Sequence, residues 1–175
     1  MDDQGALVWI GELCDTYLGD IWVAQSKTGL AAVSLWGNKE RFTEQVNKLT
    51  GSQSAYAPEQ VSIVTQQLAE YLNGERRQFE VAIDWALMTQ FQQDVLHAVC
   101  DIEYGRTRTY GDIARELMKP KAMRAVGRAN ATNPMPIIIP CHRVLGSDGR
   151  LHGYSAPGGI ETKARLLRLE GSWLI

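Results

Sequence analysis

From Asn133 to Val144 the chain reads Asn-Pro-Met-Pro-Ile-Ile-Ile-Pro-Cys-His-Arg-Val, an apolar run with prolines at 134, 136 and 140, closed by a thiol beside an imidazole. Each proline locks its own φ and removes a backbone donor, so the chain around this run is stiff. Its apolar side chains call for burial, and any fold must deliver Cys141 and His142 at the end of it. A free thiol titrates near pH 8.5, and a neighbouring base or cation that lowered its pKa by about two units would be worth ~2.7 kcal/mol. His142 and Arg143 are the local candidates for that role. Adjacent side chains need not face each other, so His142 acts directly, through a water, or only as packing.

The 175 residues, 45% hydrophobic and 22% charged, suit one mid-sized domain or two small ones sharing a core, and exclude disordered or fibrous classes. Cys14, Cys100 and Cys141 are odd in number and irregularly spaced, which fits reduced thiols rather than a disulfide framework. Met1 to Gly5 lack a secretory pattern and no window has the apolar length of a membrane span, so a cytoplasmic protein without membrane contact is expected. The formal net charge of −2 averages two unlike halves. Residues 1–89 carry 6 Lys and Arg against 12 Asp and Glu, and residues 90–175 carry 12 against 8.

Short apolar, β-branched runs at Leu13–Tyr17, Ile21–Ala24 and Leu30–Leu35, parted by Gly19-Asp20 and Lys27-Thr28-Gly29, predict three antiparallel strands. Phe42, Val46 and Leu49 recur at helical spacing and predict an amphipathic helix from Glu40 to Leu49. Residues 51–54 read as a loop, Pro58–Leu72 as a second helix stopped by Asn73-Gly74, and Glu80–Ile83 as a further strand. Thr89 and Gln92 form a capping-box pattern ahead of a helix that carries Phe91, Val95, Leu96 and Val99. Thr109 can cap another, which ends at Lys119-Pro120, and a third follows from Lys121 to Asn130. The last two form a helix-turn-helix pattern. Between Tyr104 and Leu145 there are eight basic residues and two acids, concentrating positive charge on this segment, although a solvated helical hairpin would look the same.

With the motifs in place, Ile139-Pro140-Cys141-His142-Arg143-Val144 resembles the active-site signature of the O6-alkylguanine-DNA alkyltransferases, the methylated-DNA–protein-cysteine methyltransferases. Thr109–Ala114, Arg124–Gly127, Asn133-Pro134, Gly153-Tyr154-Ser155 and Lys163 to Gly171 resemble further family segments in the same order. The likeness covers residues 91–171, while the N-terminal half shares only a strand-then-helix layout. It implies an α+β chain in two domains: 1–88, an N-terminal antiparallel β-sheet with helices, and 89–175, a mainly helical, winged-helix-like unit with the helix-turn-helix.

The resemblance also implies a function: direct repair of DNA by single-turnover transfer of an alkyl group from guanine O6 to the protein's own cysteine. On that pattern Cys141 is the nucleophile, His142 the base acting through a water, and Glu170 the carboxylate that orients it, an activated nucleophile with base and orienter in series. Tyr110 contacts the base and can donate to a ring nitrogen of the leaving guanine. Arg124 fills the gap left by the flipped nucleotide, and Ala125, Gly127 and Arg128 line the DNA-facing helix together with Ala129. Tyr154 and Ser155 line the pocket, with the Ser155 N–H facing O6. The carbonyls of Val144 and Cys141 accept from the exocyclic amine, and Asn133 ties the helix-turn-helix to the active-site loop. The implied partner is double-stranded DNA containing O6-alkylguanine, with O4-alkylthymine a further candidate lesion, and the protein is expected to act as a monomer.

Two departures from the family pattern stand out. Ser155-Ala156-Pro157-Gly158-Gly159 is two residues longer than the family's compact loop, which bears on the width of the pocket lip. The first half has only Cys14 and no His, so the N-terminal zinc of some relatives is not expected, and neither a metal nor a cofactor is implied. His97 and Cys100, three apart on a helix, are expected to face the core. Two rival classes are a non-catalytic damage-binding relative, which would carry Trp at the cysteine position, and a helix-turn-helix regulator with an N-terminal sensor.

Overall fold

The computed structural model describes residues 7–172, and the reading of Met1 to Gly5 lies outside them. The described residues form two compact units, the first ending at Leu87 and the second beginning at Met88.

The first unit is a four-stranded sheet of β1 (Val8–Thr16), β2 (Gly19–Gln25), β3 (Leu30–Ser34) and β4 (Ser54–Tyr56), ordered β3-β2-β1-β4. The three expected strands pair antiparallel. The strand expected from Leu13 starts instead at Val8, where Val8 and Ile10 enter the core. Gly11 interrupts the alternation and hides this in sequence. A Cβ there would lie 2.6 Å from Val61 Cγ2 and 2.8 Å from Pro58 Cα, so the close passage of Pro58–Val61 excludes a side chain.

β4 begins at Ser54, where a loop was expected, and runs parallel to β1. Helix α1 (Lys39–Thr50) makes the crossover, capped by Asn38 and ended by left-handed Gly51, and buries Phe42 and Val46 while Leu49 is exposed. Residues Pro58–Val61 form a 3-10 turn before α2 (Ser62–Leu72) rather than its first α-helical turn. The strand expected at Glu80–Ile83 reduces to a single bridge from Ile83 to Leu30.

The second unit contains α3 (Gln90–Cys100), β5 (Arg108–Thr109), α4 (Tyr110–Glu116), α5 (Met123–Ala131), β6 (Val144–Leu145) and α6 (Gly159–Leu169). Thr89 caps α3 by accepting from the Gln92 N–H. Thr109 and Asp112 form a full capping box on α4. Helix α5 packs on both α3 and α4, which makes α4–α5 a helix-turn-helix braced from behind by α3. The two-stranded parallel ladder β5–β6 pairs Arg108 with Val144 and Thr109 with Leu145, setting the start of α4 beside the residues that follow Cys141. His97 and Cys100 do not face the core: both are exposed on α3, whose buried stripe is Val95, Leu96, Ala98 and Val99. No helix among the described residues is long and apolar enough to cross a membrane.

Candidate active site

The proline-bounded run is buried at Met135 and from Ile137 to Cys141. Its backbone folds back on itself, with the Ile139 N–H donating to the Met135 carbonyl at 2.9 Å. At the crest, Ile137 has a φ of 75°, a conformation costly for a β-branched residue, which marks a backbone forced into shape beside the site. Asn133 clamps the turn, its amide donating to the Ile139 carbonyl at 2.9 Å while its oxygen accepts from the Met135 N–H at 2.9 Å. A 3-10 turn over Cys141–Arg143 then presents the three side chains of the motif.

Cys141 is 3% exposed. Burial pushes its thiol up from the ordinary range, and hydrogen bonds from Asn133 and Tyr154, with the field of Lys163, only partly oppose this. The resting sulfur is therefore a thiol, contrary to the expectation that a neighbouring cation lowers it into a thiolate. Arg143, one of the cations expected to do so, turns instead to Glu170. The phenol of Tyr154 lies 4.0 Å from the sulfur, and burial raises its pKa far enough that it stays a donor.

His142 is fully buried, and its Nε2 lies 2.8 Å from Glu170 Oε1. Desolvation lowers its pKa against the opposing pull of Glu170, so the ring is neutral at physiological pH. Glu170 thus engages Nε2, and Nδ1 is the ring's other buried nitrogen. Glu170 follows the last turn of α6 and also accepts from Arg143 Nε and Nη2, each at 2.9 Å, and from the Gly105 N–H at 3.3 Å. Gly105 has a φ of 76°, and a Cβ there would sit 2.9 Å from the Glu170 carbonyl, so this close approach requires glycine. The Arg143 guanidinium also donates to the Ile102 carbonyl and lies 5.8 Å from the centre of the Tyr104 ring. Carboxylate, guanidinium and imidazole thus form one buried, hydrogen-bonded group.

Two polar residues that sequence reasoning left out of the site complete it. Asn130 on α5 is 5% exposed and donates to the Cys141 carbonyl at 3.2 Å. It also hydrogen-bonds Tyr110, holding down a phenol pKa that burial raises. Lys163 has no exposed surface, and its ammonium donates to the carbonyls of Val144 at 2.6 Å and His152 at 3.3 Å. Desolvation brings its pKa down to about 8. Each carried a sequence signal: Asn130 stands four residues after Val126 on the apolar face of α5, and Lys163 three before Leu166 on that of α6. The Cys141 carbonyl thus accepts from both Asn130 and the Val144 N–H, and the Val144 carbonyl accepts from Lys163.

The remaining expected residues lie around this centre. Gly127 lies behind Tyr110, whose ring atom Cδ1 would be 4.0 Å from a Cβ there. Arg124, Ala125 and Arg128 are exposed, whereas Ala129 is buried. Arg124, Ala125, Arg128 and Ala129 line one wall of a cleft of about 400 Å³ between α5 and the start of α3, opposite Phe91 and Gln92. Tyr154 is half-buried at the sulfur and Ser155 is exposed beyond it. Among the described residues no group of three or more His, Cys, Asp or Glu side chains could hold a metal ion.

A buried thiol, a neutral imidazole and an orienting carboxylate behind a helix-turn-helix define the class of activated-cysteine proteins whose nucleophile is served by base and orienter in series. Residues 90–172 match the family model described as 6-O-methylguanine DNA methyltransferase, DNA binding domain, and residues 10–85 match that of the ribonuclease-like domain of the same proteins. A methylated-DNA–protein-cysteine methyltransferase of Methanosarcina acetivorans is 39% identical over 155 residues, 89% of this chain and 94% of the relative. The crystal structure of the Mycobacterium tuberculosis O6-methylguanine methyltransferase superposes with a TM-score of 0.78 at 36% identity, covering 96% of this chain and 95% of that one. A structure of the same mycobacterial protein in complex with DNA gives a TM-score of 0.77 over 95% of this chain and 93% of that one. The chain belongs to the methylated-DNA–protein-cysteine methyltransferase family.

Proposed function

We propose that this protein repairs DNA by direct reversal, taking the alkyl group of O6-alkylguanine onto Cys141 in a single turnover. The observation that supports the assignment best is the buried Cys141 thiol followed in the chain by a neutral His142 whose Nε2 Glu170 holds. In the reaction the Cys141 S–H proton passes toward His142 Nδ1, through a water on the family pattern, as the sulfur forms a bond to the alkyl carbon. The bond from that carbon to guanine O6 breaks, and the purine takes up a proton and remains in the DNA as guanine. The product is a thioether, which has no easy leaving group, so the protein is consumed.

The other roles follow from position. Tyr110 and Tyr154 hold their protons and can donate to the purine as negative charge develops on it. On the family pattern the Val144 and Cys141 carbonyls accept from the exocyclic amine, the Ser155 N–H faces O6, and Asn133 holds the active-site loop. Arg124, Ala125, Gly127 and Arg128 form the surface that seats the DNA and fills the gap left by the flipped nucleotide. Residues 89–175 carry recognition and chemistry, and residues 1–88 are structural. The three free thiols, Cys14, Cys100 and Cys141, support a reducing, cytoplasmic setting.

The test separates binding from chemistry. Cys141→Ser abolishes transfer from a duplex containing O6-methylguanine while retaining preferential binding to that duplex. Residual transfer to Cys14 or Cys100 in this variant would refute the assignment of the acceptor.

A further inference from the structure

The lip of the pocket is tied at both ends. Tyr154, whose phenol lies 4.0 Å from the Cys141 sulfur, is followed by Ser155, whose hydroxyl donates to the Ala131 carbonyl at 2.6 Å. Ala131 is the last residue of α5, the helix that carries Arg124 and Arg128. The last carbonyls of a helix have no partner within it, so an outside hydroxyl at this point fixes the helix end as well as the lip. Two residues on, the Pro157 carbonyl accepts from Thr162 Oγ1 at 2.8 Å, and Thr162 is buried in α6. The extra length of the lip, Ala156-Pro157, therefore lies between two anchors, one on α5 and one on α6.

We infer that the Ser155 hydroxyl is a positioning residue that couples the seating of α5 on DNA to the placement of the lip over the flipped base. This rests on the proposed function and extends it to a side chain whose backbone alone was expected to act. Ser155 is exposed and its hydroxyl is engaged by the helix end, so its contribution passes through α5 and not through contact with the alkyl group. When DNA presses on α5, the bond carries that displacement to the residue next to Tyr154. A free alkylated base enters the same pocket without loading α5, and its reaction does not draw on the bond in the same way.

The experiment measures single-turnover alkylation of Cys141 by O6-benzylguanine presented within a duplex and as the free base, in the parent, Ser155→Ala and Ser155→Thr. The alanine variant keeps the backbone N–H and removes only the hydroxyl. It is expected to lower the ratio of the duplex rate to the free-base rate by about fivefold, the factor that corresponds to one neutral hydrogen bond of ~1 kcal/mol. Threonine, which retains the hydroxyl, restores the ratio. Equal slowing of both reactions, or of neither, overturns the coupling. Failure of the parent to alkylate Cys141 with either substrate overturns instead the reading on which it rests.

Discussion

His142 and Glu170, 28 positions apart in sequence, meet at 2.8 Å with neither side chain exposed to solvent. The contact exists because the turn over Cys141–Arg143 and the end of α6 pack together, and because Arg143 neutralises the carboxylate with two hydrogen bonds. A buried carboxylate without that cation would be costly. The arrangement fixes the orientation of the imidazole while leaving it uncharged.

Glu170→Gln tests that arrangement. It leaves Arg143 as a buried cation with one anionic partner removed, a change expected to cost about 3–5 kcal/mol of stability, read as a lower midpoint in denaturant. It also removes the charge that raises the His142 pKa, so the acid limb of the transfer rate moves to lower pH even as the rate falls. An acid limb that stays in place would contradict the pairing.

The pH dependence of the parent follows from the same group. His142 is depressed below its unfolded value of 6.5, so the unfolded chain binds the proton first. The neutral ring contributes stability fully above pH 6.5, and that contribution is lost as pH falls through the lower, folded value. Transfer fails over the same acid range, because a protonated imidazole cannot take the thiol proton. Thermal unfolding and single-turnover rates recorded between neutral and acidic pH should decline together.

Lys163→Met removes the ammonium whose field favours the Cys141 thiolate. The Cys141 pKa should rise further, measured by thiolate absorbance, and alkyl transfer should slow. Replacing a buried cation that has no carboxylate partner among the described residues by an apolar chain of similar length is expected to change folding stability by less than removing Arg143 does.

Asn130→Ala leaves the Cys141 carbonyl with the Val144 N–H as its remaining donor and opens a small gap on α5. The expected loss is about 0.5–1.5 kcal/mol in chemical denaturation, with slower transfer, because both Cys141 and Tyr110 lose a common anchor.

Arg124 and Arg128 should behave in the opposite way. Both are exposed, so replacement by Ala is expected to change stability by no more than about 0.5 kcal/mol. Arg124→Ala slows transfer by weakening base extrusion. Arg128→Ala lowers the salt dependence of DNA binding by about one phosphate contact.

Local chemistry decided what could be read in the sequence. The caps at Thr89 and Thr109 and the helix-turn-helix spacing were legible because they depend on neighbouring residues. β4 was not, since its three residues have no pattern of their own and form a strand only through parallel pairing with β1. The Arg143–Glu170 pairing was likewise hidden: adjacency suggested that Arg143 serves the thiol, and only the packing of α6 turns it to the carboxylate. Asn130 and Lys163 were polar residues on apolar helical faces, a signal visible in sequence whose meaning depends on the Cys141 loop they reach. The proline-bounded run that constrains the fold most is also what brings these partners to one cysteine.

The central claim is best tested by intact-mass and peptide-mass analysis after incubation with excess duplex containing O6-methylguanine. The account predicts one methyl group per chain, located on Cys141, with guanine restored in an equal amount of DNA and no further reaction on fresh substrate. Repaired DNA in excess of protein, or full repair with Cys141 unmodified, would contradict it.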